Sequence, residues 1–367
     1  MSRIARLRQR GLKVTAAIDW ERVRNQTRVS ISRSRTISAF HRILGTLRLW
    51  RNYVRRIWPG RDPNHASTHE AVYLHYDHAG VVHDYVLLQL QELAANGFRI
   101  TFVSNAPKFD DKTVLAIAPF CRQIVWRRNV GYDLGGYKDG IRAIGDVTRL
   151  DRLVLMNDSV YGPFRPLAGI LQQMDASQGD LWGITDSFEF DHHIQSYFIV
   201  FMRAAAASPA FTKFWQRFPY VNYKHWVVRH GEVGLTQALT ATKLRARVLI
   251  PYWDVANAVL ERIEQGRYVA TLGHETFFDE VHVQLARRRS LNPPHHFCDA
   301  LLTDFHCPFL KREVITRNPR KSPFAHTWTE LLGQASEGQP TTYDLDLIHR
   351  HLRAPQPRQW WTKWRRG

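Results

Sequence analysis

Only three cysteines, Cys121, Cys298 and Cys307, occur in 367 residues. That is too few for a disulfide scaffold, so a reducing compartment is expected. No run of about 18 apolar residues exists, since Phe198–Met202 is stopped by Arg203, and no spanning helix is expected. The basic N-terminus has no apolar stretch behind it, which argues against a secretory signal. Glycine fingerprints of the Walker or dinucleotide type are missing. Acids are scarce in the first 60 residues, and basic residues outnumber them at both ends. Residues 1–60 hold 15 Lys/Arg against Asp19 and Glu21, and residues 311–367 hold 11 against five acids.

The net charge of +18 therefore sits at the ends. Residues 61–310 carry 25 basic and 26 acidic residues, so a basic groove through the core is not indicated and no nucleic-acid partner is expected. An apolar fraction of 44%, with 12 Trp and 19 Phe, argues against disorder and leaves enough material for a real core.

From Ile37 to Trp58 apolar residues step by three or four with Arg between them, and Pro59-Gly60 follows. The spacing predicts an amphipathic helix, either lying on a membrane surface or packed on the main domain. Residues 61–70 read as a linker. Strand and helix patterns then alternate. Strands are expected at Ala71–Tyr76, Phe98–Val103, Arg122–Trp126 and Leu153–Met156. Helices are expected at Tyr85–Ala95, Asp111–Phe120 and Gly136–Ile144. This alternation implies an α/β sheet with parallel strands, whose C-terminal ends bind ligands. Those ends carry Asp77, Ser104-Asn105, Arg128-Asn129 and Asn157-Asp158-Ser159. Further strands are expected at Leu181–Ile184, Ser196–Phe201 and Leu249–Tyr252, with mostly helix and loop beyond 270.

Four segments could carry chemistry. In Asn129–Gly140, glycines such as Gly131 would let backbone approach a ligand, Asp133 could accept from a sugar or base, and Lys138 could meet a phosphate; a turn that caps a helix is the plainer reading. Asn157-Asp158-Ser159 could hold a cation against a diphosphate, or form an Asx turn. Glu232 could be a general base, or a helix N-terminal charge. His193, Gln195 and Tyr197 could line a pocket, or belong to a polar loop. His295, His296, Cys298, His306 and Cys307 have zinc-ligand chemistry without zinc-site spacing. Asp344-Leu-Asp346 lies outside the alternation.

The series His75-Tyr76-Asp77, Asn96-Gly97-Phe98, Val103-Ser104-Asn105, Arg128-Asn129-x-Gly131-Tyr132-Asp133, Leu155-x-Asn157-Asp158-Ser159-Val160-Tyr161-Gly162-Pro163, Gln195-Ser196-Tyr197-Phe198, Glu232-x-Gly234-Leu235 and Pro308-Phe309-Leu310-Lys311-Arg312-Glu313 resembles the rhamnan synthesis protein F family of bacterial polysaccharide glycosyltransferases. The resemblance covers roughly residues 71–320. It implies a GT-A-like nucleotide-sugar sheet flanked by helices with a helical C-terminal region. The corresponding division is a basic extension 1–60, a transferase domain 61–320 and a basic Trp-rich tail 321–367. It implies transfer of a sugar, typically L-rhamnose from a dTDP donor, to a glycan or lipid-linked glycan.

In that frame Asp77, Ser104, Asn105, Asn129, Gly131, Asp133, Lys138, Asn157 and Ser159 would bind the donor. Asp158 and Glu232 would be catalytic, and His193, Gln195 and Tyr197 would face the acceptor. Asp158 would also hold Mg2+ or Mn2+, although Asn-Asp-Ser has one carboxylate where the usual motif has two. The basic ends, including Trp360, Trp361 and Trp364, suggest peripheral attachment to the inner face of the cytoplasmic membrane through anionic lipid. A non-catalytic assembly scaffold and a nucleic-acid-binding protein are the competing readings.

Overall fold

The computed structural model describes residues 42–47, 51–267, 275–335 and 343–354. Its strands are β1 (Val54–Pro59), β2 (His69–His75), β3 (Arg99–Ser104), β4 (Cys121–Arg127), β5 (Arg152–Asn157), β6 (Val160–Tyr161), β7 (Leu181–Ser187), β8 (His193–Ile194), β9 (Phe198–Met202), β10 (Ala246–Ile250) and β11 (Leu310–Lys311). One sheet runs β1-β4-β3-β2-β5-β9-β7-β10, with β8 added on β7, while β6 and β11 pair separately. Strands β4, β3, β2 and β5 are parallel. Strand β9 is antiparallel to both β5 and β7, and β10 is parallel to β7. The α/β expectation holds, in a sheet of mixed direction.

Alternation along β2 explains the layers. Ala71 and Tyr73 enter one core with Tyr85, Leu90 and Leu93 of the helix Asp84–Ala95. Val72 and Leu74 enter the other with Leu134, Tyr137 and Ile141 of the helix Tyr132–Ile144. Neighbouring side chains of a strand point to opposite faces, so one apolar run feeds two helical layers. Gly97, at φ +81°, closes the first helix in a conformation that other residues adopt at a cost.

The helix expected across Ile37–Trp58 is corrected. Residues 42–47 are helical, and residues 37–41 and 48–50 lie outside the described residues. Val54–Pro59 is instead an edge strand antiparallel to β4. Val54, Ile57 and Trp58 fit a three-step pattern but are also strong strand formers, and pairing satisfies backbone groups that β4 would otherwise leave at an open edge. The tail beyond 320 also joins the body. Trp328–Ala335 packs its Trp328, Leu331 and Leu332 into the first core, and His351 of the helix Asp346–Arg353 bonds to Tyr161 at 2.6 Å.

Candidate active site

Strand order reverses at β2, which has β3 on one side and β5 on the other. Ligands of open α/β sheets bind at such switch points, outside the C-terminal strand ends. Two strand ends meet there. The Tyr76 N–H, just after β2, donates to Asp158 Oδ2 at 3.1 Å, just after β5. Ser159 donates to the Asn157 side-chain oxygen through both its N–H and its hydroxyl. The Asn157 amide donates to Asp133 Oδ2 at 3.3 Å.

Asp133 stands in the first turn of Tyr132–Ile144. Gly131, φ +87°, and Tyr132, φ +51°, both adopt left-handed backbone to enter that helix. Left-handed geometry at a non-glycine residue is uncommon and clusters at functional sites. Burial pushes the Asp133 carboxyl up to about 6, opposed by Lys311 and Lys224 and reinforced by Asp158 and Glu232.

Glu232 ends a π-turn, Val228–Glu232, an irregularity frequent at functional sites. Gly231 lets that turn close on the helix below, since a Cβ there would meet Leu134 at 2.8 Å. His193 Nδ1 donates to the Asp191 carbonyl at 2.9 Å, which turns Nε2 toward Glu232 at 3.7 Å. Thr185 links Gln195 and Tyr197 through its hydroxyl, both at 2.7 Å.

Two further residues complete the site. Lys311 Nζ donates to Ser159 Oγ at 2.8 Å and lies 5.6 Å from the Tyr197 ring centre. Arg312 Nη1 lies 3.4 Å from Asp158 Oδ2 and donates to the Tyr85 hydroxyl at 2.6 Å. Both stand in the motif Pro308–Glu313 inside the 61–320 division, yet neither is among the candidate site residues expected from the sequence. The signal was there: two adjacent cations directly after the apolar Pro308-Phe309-Leu310.

Other sequence candidates are placed differently. Asn105 accepts from Arg127 at 2.6 Å, and Ser104 bonds to His75 at 3.1 Å, so both brace the sheet beneath the site. Arg127 is fully buried and bonds to Asp139 at 2.7 Å. Asp77 accepts from the Ala79 and Val81 N–H groups and faces His83 at 3.6 Å. Burial opposes its ionisation, but those bonds hold its carboxyl well below the usual range. Asn129 is exposed in the loop after β4.

Two of the expected donor-binding residues have partners within the protein. Lys138 Nζ donates to the Gln216 and Phe218 carbonyls at 3.1 and 2.6 Å, which commits its ammonium to protein backbone. The Gly131 N–H donates to Asn222 at 2.7 Å. The glycines that follow serve packing, because a Cβ on Gly136 would meet Leu74 at 2.3 Å and one on Gly140 would meet Val72 at 2.3 Å.

The zinc-type residues have separate partners. His296 bonds to the Asn292 backbone, Cys307 to the Phe309 carbonyl, and Cys298 lies 3.9 Å from Ser322. Asp344 pairs with Arg350.

Residues 100–260 match the family model of rhamnan synthesis protein F. The uncharacterised protein y4gN of Sinorhizobium fredii (strain NBRC 101917 / NGR234) is 33% identical over 187 residues, 49% of this chain and 48% of that protein. Virulence protein VirA of Vibrio anguillarum (strain ATCC 68554 / 775) is 27% identical over 208 residues, 55% of this chain and 65% of that protein. The matches thus span about half to two thirds of these relatives' own length. Among solved structures, galactosyltransferase LgtC in complex with donor and acceptor sugar analogs overlaps at a TM-score of 0.36 and 10% identity, covering 77% of this chain and 99% of that one. Mannosyltransferase PcManGT from Pyrobaculum calidifontis, in complex with GDP-Man and Mn2+, overlaps at 0.30 and 12% identity, covering 90% of each.

The resemblance implies Mg2+ or Mn2+ at Asp158, and the side chains there fit such an ion poorly. The Tyr76 N–H and the Arg312 guanidinium both meet one oxygen of Asp158, Oδ2, so an ion at this carboxylate would stand beside a fixed guanidinium. Lys311 approaches the same tripeptide through Ser159. At an effective dielectric of about 20, unit charges about 4 Å apart repel by about 4 kcal/mol, and a divalent ion doubles that. No three His, Cys, Asp or Glu side chains gather as a metal-holding group among the described residues.

Proposed function

We propose that this chain is a GT-A-like glycosyltransferase of bacterial polysaccharide synthesis, moving a sugar from a nucleotide-diphosphate donor to a glycan or lipid-linked glycan acceptor. The observation that carries this reading is the meeting of Asn157-Asp158-Ser159, Asp133 and Lys311-Arg312 around one sheet switch point, with the Glu232 charge acting on both Asp133 and Lys311. The match of residues 100–260 to the rhamnan synthesis family supports it. L-Rhamnose carried on dTDP is the donor which that resemblance favours.

In the proposed reaction Glu232 takes the proton of the acceptor hydroxyl as its oxygen bonds to the anomeric carbon. The bond from that carbon to the donor phosphate breaks, and its electron pair leaves with the nucleoside diphosphate. His193 orients Glu232 from 3.7 Å away, with its own ring fixed by the Asp191 carbonyl. Asp133, Asn157 and Ser159 face the donor, and Gln195 and Tyr197 shape the adjoining pocket. Asp158 holds the base of the site by fixing both the Tyr76 backbone and Arg312.

Peripheral attachment to an anionic membrane belongs to the same reading. No helix among the described residues is long and apolar enough to cross a membrane. The short helix 42–47 leaves Ile43 and Leu47 exposed, on one face at i and i+4. On β1, Arg55 stacks over Trp126 and Arg56 over Trp58, a cation–aromatic surface suited to lipid headgroups. The tail residues Trp360, Trp361 and Trp364 lie outside the described residues.

Calorimetric titration of the purified chain with a panel of nucleotide sugars tests the reading. It expects saturable binding of at least one, with dTDP-rhamnose the first candidate. Binding of none would overturn it and favour a non-catalytic scaffold.

A further inference from the structure

The position where a metal-dependent transferase would keep its cation is crowded here by two side chains that are themselves cations. Lys311 and Arg312 come from the end of the chain remote from β5, and a dedicated two-strand pairing delivers them. Leu310 pairs with Tyr161 and Lys311 with Val160, and the Arg312 N–H donates to the Ser159 carbonyl at 2.9 Å. The pair is therefore locked in register against the residues that follow Asn157-Asp158-Ser159.

Each cation keeps donors in reserve. Lys311 uses one of its three N–H groups, on Ser159, and has no carboxylate oxygen within 4.0 Å among the described residues. Arg312 bonds through Nη1 to Tyr85 and Asp158, while Nε and Nη2 have no protein partner among the described residues. Tyr85 is held in turn, its hydroxyl donating to the Asp158 carbonyl at 3.0 Å. Such an arrangement presents fixed donors to an anion without reorganising when the anion's charge grows.

We propose that Lys311 and Arg312 bind the diphosphate of the nucleotide-sugar donor and neutralise the leaving nucleoside diphosphate, in place of a divalent metal ion. This rests on the glycosyltransferase reading above. As the bond from sugar to phosphate breaks, the charge gathering on the phosphate oxygens meets the Lys311 ammonium and the free edge of the Arg312 guanidinium. Asp158 then serves as the counter-charge that positions Arg312, which accounts for a single carboxylate sufficing in Asn157-Asp158-Ser159.

The test is calorimetric titration of the full chain with dTDP, UDP and GDP, in EDTA and again in Mn2+ or Mg2+. The nucleoside diphosphate that binds should do so in EDTA with an affinity within about threefold of that in metal, well inside the span of one charged hydrogen bond. Lys311→Gln and Arg312→Gln should each weaken it about tenfold or more, and Lys311→Arg should restore most of the loss. Thermal melts of each variant show that the fold is retained, and the EDTA comparison on the unaltered chain needs no variant. Binding lost in EDTA and restored by Mn2+ would overturn the proposal while leaving the transferase reading intact. So would variants that bind as well as the parent. Absence of binding under every condition would overturn both.

Discussion

Arg312 and Asp158 stand 154 residues apart in sequence and 3.4 Å apart in space. The Asp158 side chain is 8% exposed and that of Arg312 24%, so the pair is shielded from bulk water. Removing one partner of such a pair costs more than a surface ion pair is worth, because the other is left uncompensated. Asp158→Asn is expected to lower stability by about 2–3 kcal/mol, read as a shift in urea midpoint at unchanged slope. Arg312→Met should cost at least as much, since it leaves the more buried Asp158 carboxylate without its counter-charge and removes the bond to the Tyr85 hydroxyl.

Asp133 predicts a pH dependence. Its folded carboxyl titrates near 6, above the unfolded value, mainly because burial disfavours the charge. The folded state therefore binds the proton more tightly, and stability falls as pH rises from the unfolded value through about 6. Asp133→Asn should remove that loss. Denaturation of both proteins from pH 4 to pH 8 should show a variant advantage that grows through this window, reaching on the order of 1–2 kcal/mol above it.

Gly136→Ala sets two effects against each other. Alanine gains about 1 kcal/mol over glycine in a helix interior. A Cβ placed 2.3 Å from Leu74 Cδ1 costs about 1–3 kcal/mol in overpacking, because that buried side chain must shift within a filled core. Packing is expected to win, with a lower melting temperature and weakened nucleotide binding, because the same helix carries Asp133. A variant more stable than the parent would refute this.

Lys138→Met separates structure from function. Its ammonium satisfies the Gln216 and Phe218 carbonyls, so its loss should destabilise by about 1–3 kcal/mol. Nucleotide affinity of the folded fraction should stay the same. A selective loss of affinity would return Lys138 to the donor site.

The sheet was legible in the sequence because its strands are apolar runs bounded by clear turn signals, as in Asn96-Gly97 after the first helix. The polar ends of β2 and β5 could be read as ligand-facing from the same alternation. Their division of labour could not, since Ser104 and Asn105 are claimed by His75 and Arg127 through contacts no local pattern encodes. Val54–Pro59 was misread because its spacing fits helix and strand alike, and only the free edge of β4 decides. Lys311 and Arg312 escaped for a related reason. In the charge count they merge with the basic stretch 311–367, while the β6–β11 pairing brings them to the switch point.

The most direct measurement is release of nucleoside diphosphate from a panel of nucleotide sugars, by the unaltered chain and by Glu232→Gln. The account predicts turnover of at least one nucleotide sugar. It also predicts a fall of about 100-fold or more in kcat for Glu232→Gln, with nucleotide affinity unchanged. Turnover of none of them, or a Glu232→Gln protein as active as the parent, would contradict it.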